Sequence, residues 1–385
     1  MSRNRRIVAL IIHEIPMSYQ KRIDLLHERL ANMRLGALAL IPSPSLYYFT
    51  GLSFHLMERP VIALLSGDGE LRMIVPELEQ EKAESSPVSF KLFSYGEAEG
   101  AAVEALNQAV AGLRLDGGQI GIEPLSMRFH ELELLQTAIP RATFTSIDGA
   151  ISTSRIIKDE TELTAMQRAA EIAEAALEAT LPLIKVGMTE LELASELAMQ
   201  LLRAGSEPAA QFSPIVASGP SSALPHAVPS ARPLTDGDSL ILDWGAVHQG
   251  YVSDITRTFF VKQASDEFSR IHDIVQKANA AGRAAVRPGA ECGDVDRAAR
   301  DEIEEAGYGE YFIHRTGHGL GLEVHEPPFI REGEETVLEV GMTFTVEPGI
   351  YLSGRGGVRV EDDVVVTEEG GVSLTTISRE ARIVA

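Results

Sequence analysis

The apolar positions of residues 18–34, Ile23, Leu26, Leu30 and Met33, fall at helical spacing, and the apolar run at 37–41 that follows predicts a buried strand. Apolar runs at 61–65 and 71–75 flank Ser66-Gly67-Asp68-Gly69, which predicts a hairpin. The Ala-rich stretch 97–113 predicts a further helix ahead of a strand at 120–122. These elements compose a first α/β domain, residues 1–150, and none of its residues forms a catalytic constellation.

Residues 151–385 follow a different plan. A long helix rich in Ala, Glu and Leu is predicted over 159–183, with Gly187 as its C-terminal cap. Thr189 and Glu192 make a capping box ahead of Leu193, Leu197 and Leu201, which predicts a second helix over 190–204 that stops at Gly205. The pattern then returns. Arg287-Pro288-Gly289 precedes a helix expected at 291–306 and stopped by Gly307, and the blocks 185–205 and 287–307 have the same length. A stretch containing glycine and histidine follows each block, 214–226 after the first and 314–325 after the second. This is the signature of an internal duplication. Two half-domains would then face each other across a pseudo-twofold axis, with His226 and His325 lining the cleft between them.

Composition narrows the function classes. A chain of 385 residues is long enough for two domains. Lys and Arg total 34 against 56 Asp and Glu, and the net charge of −22 repels phosphate backbones and anionic membranes, so neither nucleic acid nor membrane is expected as a partner. The one cysteine, Cys292, excludes an internal disulfide and fits a reducing compartment. His13 and Glu14 interrupt the apolar run 7–12 too early for a signal peptide, and no apolar run approaches the roughly 20 residues that span a bilayer. A soluble, cytoplasmic protein is expected.

Candidate chemistry comes from acids on apolar strands. The run 240–244 carries Asp243, and a carboxylate there is costly unless it is paired or bound to metal. The chain turns through 245–250 and returns as 251–258, which reads as the partner strand of a hairpin and brings Asp254 towards Asp243. Further on, glycines at 317, 319 and 321 surround His318 and are read as leaving room for close approach to an ion or ligand. They alternate, lack the dinucleotide-binding spacing and carry a histidine where phosphate-binding backbone would be expected. Last, 344–349 and 358–364 place Glu347 and Glu361 on apolar strands with the Gly-rich turn 353–357 between them, a second hairpin with facing acids. Four carboxylates and one imidazole match an oxygen-rich dinuclear site for Mn²⁺, Co²⁺ or Zn²⁺, and two dications would relieve the repulsion among the acids.

With these motifs the sequence resembles the pita-bread metallopeptidases, the family of methionine aminopeptidase, prolidase, Xaa-Pro aminopeptidase and creatinase. The resemblance rests on Asp243 and Asp254 in D-x-G…S-D-x-T-R-T, His318 in G-H-G-x-G, Glu347 in E-P-G-I-Y and Glu361 in R-x-E-D. Tyr47-Tyr48-Phe49-Thr50-Gly51 resembles the creatinase-type N-terminal domain, so the likeness covers most of the chain. The fold class it implies is α/β (α+β): a small creatinase-type N-terminal α/β domain over 1–150, then a duplicated, pseudo-twofold pita-bread catalytic domain over 151–385. The extra N-terminal domain disfavours methionine aminopeptidase, and the branch implied is Xaa-Pro cleavage.

The resemblance also implies roles. Asp254 and Glu361 would bridge two divalent metal ions, with Mn²⁺ preferred and Co²⁺ or Zn²⁺ as alternatives. Asp243 would bind one ion, His318 and Glu347 would complete the other, and a bridging hydroxide would be the nucleophile. Glu347 would shuttle the proton to the leaving proline nitrogen, while His226 and His325 hold the scissile carbonyl and the tetrahedral intermediate. Arg359 either orients the site or forms an ordinary salt bridge. Arg331 lies near the position where prolidases carry an arginine for a dipeptide's carboxylate, with the spacing offset. His55 falls in a region that in related peptidases reaches the partner subunit's active site, which implies a homodimer. Small proline-containing peptides are the expected substrates, with a dipeptidase reading first. An aminopeptidase acting on longer Xaa-Pro peptides, a hydrolase of a non-peptide amide and a peptide-binding pseudoenzyme are the competing readings.

Overall fold

The computed structural model describes residues 17–113, 115, 117–208 and 213–385. The apolar run 7–12 weighed above as a signal-peptide mimic lies outside them. Contacts divide the described chain into two units, Met17–Arg155 and Ile156–Ala385.

In the first unit the helical pattern forms α1, Tyr19–Asn32, which is capped by Ser18 and buries Ile23, Leu26 and Leu30. Met33 falls one residue beyond it and is largely exposed. Six strands follow: β1 Ala37–Leu40, β2 Ile62–Ser66, β3 Leu71–Pro76, β4 Lys91–Tyr95, β5 Gln119–Ile122 and β6 Thr143–Ser146. They form one sheet in the order β4-β3-β2-β1-β5-β6. β1, β2 and β3 pair antiparallel, which realises the expected hairpin, and the outer pairings are parallel. The helices α2 Pro44–Thr50, α3 Gln80–Glu84, α4 Ala101–Val110, α5 Phe129–Ala138 and α6 Asp148–Arg155 complete the unit. Leu64, Ile74, Leu106, Ile120 and Leu135 share one core, each contributing about 1.5–3 kcal/mol by leaving water.

The second unit opens with α7, Glu160–Thr180, held by a capping box between Asp159 and Glu162. The helix ends earlier than its composition predicts. Pro182 has no N–H to continue the ladder, so the chain passes into a 3-10 turn at Leu181–Leu183, and Gly187 serves a later turn rather than this cap. α8, Glu190–Ala204, begins with the expected Thr189–Glu192 capping box and ends on Gly205 in the left-handed region (φ 102°). Then come β7 Ile215–Ser218, β8 Ser239–Trp244, β9 Val247–His248, β10 Tyr251–Val252 and β11 Ile255–Val261. The second half repeats the succession: α9 Asp266–Ala285, α10 Cys292–Glu305, then β12 Gly317–Gly319, β13 Glu326–Ile330, β14 Thr343–Val346, β15 Gly349–Leu352, β16 Gly356–Arg359, β17 Asp362–Thr367, β18 Gly370–Ser373 and β19 Arg382–Val384. α7 packs on α8 and α9 on α10.

One sheet has the order β19-β11-β8-β7 and the other β13-β12-β14-β17-β18, with β15-β16 and β9-β10 as two-stranded ribbons. Both expected hairpins are more broken than an apolar pattern reveals. The partner of β8 starts at Ile255 rather than 251, because Tyr251–Val252 pairs locally with β9 and leaves Asp254 in the gap. The second hairpin changes sheets partway: β14 pairs with β17, β15 with β16, and Glu347 and Glu361 stand at the crossing. Among the described residues no helix is long and apolar enough to cross a membrane.

Candidate metal centre

A cavity of about 380 Å³ in the second unit is lined by Asp243, Asp254, His318, Glu347 and Glu361, and also by Ile215, Pro225, His226, His314, Arg315, His325 and Arg359. Asp243 lies near the end of β8, a strand buried along its whole length, opposite Thr256 of β11. Arg359 Nη2 donates to its Oδ2 at 2.5 Å, while its Oδ1 has no hydrogen-bond partner. Asp254 is fixed by its N–H, which donates to both oxygens of Asp363 at 3.2 and 3.1 Å, and its Oδ1 is likewise unpartnered. Glu361 accepts from Thr256 Oγ1 at 2.5 Å, and its N–H donates to Thr256 O at 3.1 Å.

His318 approaches from the other sheet. Its Nδ1 lies 3.2 Å from Gly319 O, which assigns the proton to Nδ1 and leaves the Nε2 lone pair free to ligate a cation among the acids. Nε2 is 3.4 Å from Glu347 Oε1 and 3.8 Å from Asp254 Oδ2. One ligand atom from each of Asp254, His318 and Glu361 lies within 4.8 Å of the others. The flanking glycines have another purpose than the one expected. A Cβ on Gly317 would stand 1.8 Å from Thr345 O, and one on Gly319 would stand 2.3 Å from Pro327 O, so the missing side chains admit the neighbouring strands rather than a ligand.

Burial dominates the electrostatics. It raises the carboxyl pKa of Asp254, with the charges of Glu361 and Asp243 adding to it, and that of Glu361, with Glu347 and Asp243 adding. It pushes Glu347 up to about 8 and, seconded by His325, lowers His318 so that the imidazole is neutral. Several buried acids with two unpartnered oxygens form an environment that disfavours its own charge. Each buried acceptor left unsatisfied costs about 1–3 kcal/mol, and a divalent cation removes both penalties. The donor set fits Mn²⁺, Co²⁺ or Zn²⁺.

Around this cluster, Arg359 also donates to Thr256 Oγ1 (3.0 Å), Tyr351 OH (2.8 Å) and Pro225 O (3.3 Å). The salt bridge it makes is thus to Asp243, itself a candidate ligand. The His325 ring stands edge-on to His318 with centroids 4.0 Å apart, and His226 is exposed at the rim. Arg331 is not among the lining residues. It follows the end of β13, is exposed, and is occupied by Glu334 at 3.0 Å. His55 is exposed on the loop after α2 in the first unit. Three lining or supporting groups had no role assigned from the sequence. His314 Nε2 meets Tyr351 OH at 2.9 Å and is held to a pKa of about 4 by burial. Arg315 stacks over the Phe329 ring at 4.6 Å. A lone cation among glycines, three residues ahead of His318, is the signal that could have identified Arg315.

The Metallopeptidase family M24 model matches residues 164–368, and the Creatinase/Prolidase N-terminal domain model matches residues 22–157. A Xaa-Pro dipeptidase of Pyrococcus horikoshii is 37% identical over 350 residues, covering 90% of this chain and 94% of that protein. The peptidase YqhT of Bacillus subtilis is 34% identical over 359 residues, covering 93% and 99%. Among solved structures, a dipeptidase from Pyrococcus horikoshii superposes with a TM-score of 0.89 at 40% identity, covering 94% of this chain and 100% of that one. An X-Pro aminopeptidase from Thermotoga maritima superposes with a TM-score of 0.82 at 33% identity, covering 94% and 99%.

Proposed function

Because the chain belongs to metallopeptidase family M24 and carries the creatinase/prolidase N-terminal domain, we propose that it is a Xaa-Pro dipeptidase that uses two divalent metal ions, Mn²⁺ in first place. The observation that carries a dipeptide over a longer peptide is Arg315. Its guanidinium lines the cavity, is stacked on Phe329, and makes no ion pair among the described residues, whereas Arg359 is committed to Asp243. It can therefore receive the free carboxylate of a dipeptide in a bidentate contact. A longer peptide presents an amide there instead.

Two divalent ions held by Asp243, Asp254, His318, Glu347 and Glu361 would supply Lewis acidity for the scissile carbonyl and lower the pKa of water towards neutrality. Glu347 takes and returns a proton at Oε2, since Thr345 Oγ1 donates to Oε1. His325, held below its ordinary pKa by desolvation and by the Arg315 charge, and His226 donate to the carbonyl oxygen and to the charge that grows on it. Arg359 keeps Asp243 aimed. Similarity to the Thermotoga maritima enzyme supports a second reading, an aminopeptidase acting on longer peptides.

The experiment is hydrolysis of Ala-Pro, Gly-Pro and a longer Xaa-Pro-Xaa peptide by chelator-stripped enzyme with and without Mn²⁺ or Co²⁺. Metal-dependent cleavage of the dipeptides alone is the expected result, with Arg315→Ala raising KM for Ala-Pro but not for its C-terminal amide. Equal cleavage of the longer peptide would give the aminopeptidase, and no cleavage of any would remove the Xaa-Pro reading in favour of a non-peptide amide or a binding role.

A further inference from the structure

One buried carboxylate of the catalytic unit lies outside the cavity and outside the mechanism above. Glu190, the first residue of α8, is fully buried. Its Oε1 accepts from Ser218 N–H at 2.8 Å, Ser218 Oγ at 2.8 Å and Ser221 Oγ. Its Oε2 accepts from Ser230 N–H at 3.1 Å and Ser230 Oγ at 2.7 Å. The two oxygens therefore grip opposite ends of one segment, residues 218–230, and the middle of that segment carries Pro225 and His226 into the cavity wall. Burial opposes the charge of Glu190, but the hydroxyl and amide donors outweigh it and hold the carboxyl below its ordinary pKa.

Large apolar side chains give this segment little guidance near its tip: Leu224 and Val228, on either side of His226, are 61% and 82% exposed, while the small Ala223 and Ala227 are buried. Its other anchors are polar as well. Gly357 N–H donates to Ser222 Oγ at 2.8 Å and Arg359 Nη1 to Pro225 O at 3.3 Å. The geometry points to Glu190 as a positioning residue whose carboxylate clamps both ends of 218–230 and so fixes where His226 meets the substrate. The inference rests on the reading of His226 as a carbonyl-binding group. It requires a carboxylate specifically, because each oxygen faces a backbone N–H. In Glu190→Gln the amide NH₂ must oppose one of those donors, so one end of the segment is released with no change in volume.

The test is a double-mutant cycle on the Mn²⁺-loaded enzyme with Ala-Pro. Glu190→Gln should lower kcat about tenfold or more and leave KM within about twofold, since a displacement near 1 Å at a reacting group costs rate of that order. In a His226→Ala background the same replacement should change kcat by less than about twofold, because both act through one imidazole. Amide exchange should rise in 219–229 and stay unchanged elsewhere. Ser230→Ala, which removes one of the donors to Glu190 Oε2, gives a milder version of the same pattern should Glu190→Gln fold poorly. Parental kcat in Glu190→Gln or Ser230→Ala, or an equal loss with and without His226, overturns the clamp while leaving the site intact. Parental turnover by His226→Ala alone overturns the reading of His226, and the clamp with it.

Discussion

His272 carries a pH dependence separate from the cavity. It is buried on α9, edge-on to Phe260, with its Nδ1 unpartnered, and burial, with a smaller push from Arg257, holds its pKa down to about 4 against the opposing charge of Asp273. The folded protein keeps it neutral where the unfolded chain, titrating at 6.5, takes up a proton. Its contribution is therefore intact above pH 6.5 and is lost as pH falls towards 4, about 2 kcal/mol by pH 5. Urea unfolding of the parent and His272→Leu at pH 7 and 5 checks this: the variant should lose about 2 kcal/mol less than the parent, and equal losses would clear His272. Cys292, buried and pushed up to about 12, should ignore thiol reagents until the chain is unfolded, and modification of the native protein would contradict that burial. At this scale the five candidate ligands were legible because each is an acid or histidine where the local pattern calls for an apolar or small residue. Tyr351, His314 and Glu190 were not, because their partners lie far away in sequence.

Helix caps were readable as elements, and their worth can be measured. Thr189→Ala removes the Oγ acceptor of Glu192 N–H and should cost about 1 kcal/mol in a denaturant melt while kcat is unchanged. No loss would mean that the Glu192 carboxylate on Thr189 N–H and the backbone bonds of Glu190 and Leu191 suffice to hold the helix start. Gly317→Ala should be far worse. Its Cβ would overlap Thr345 O and force β12 off β14, so we expect a loss of at least about 4 kcal/mol or no soluble protein, and a stable, active variant would refute the strand contact. Hairpins were legible only as pairs of apolar runs. Nothing local in 344–364 announces that each arm is divided between two sheets, since the switch is made by what lies opposite: β17 against β14, β16 against β15. The glycines around His318 misled for the same reason, as the backbones that need their space come from 327 and 345.

For the molecule as a whole, each unit has its own apolar core, and the candidate ligands all belong to one of them. Stripping metal should therefore lower one calorimetric transition and leave the other in place. A metal at a hundredfold its Kd adds about 2.7 kcal/mol to the state that binds it, and a single transition that shifts as a whole would show the units to unfold as one. The duplication was visible from sequence as two equal helix blocks, while the closure of the two halves on one cavity depended on pairings that no window of sequence contains. The crossing of strands between sheets at Glu347 and Glu361 also bears on biosynthesis. Asp243 and Asp254 are translated long before the residues that complete their surroundings, and the last candidate ligand emerges just ahead of β17, whose pairing with β14 brings it opposite Glu347. On the proposed ligand set, a nascent chain would lack a complete site until Glu361 has been made. The finished fold would then draw its ions from the cellular pool after synthesis, and the metal carried would reflect the composition of that pool rather than the order in which the ligands were made.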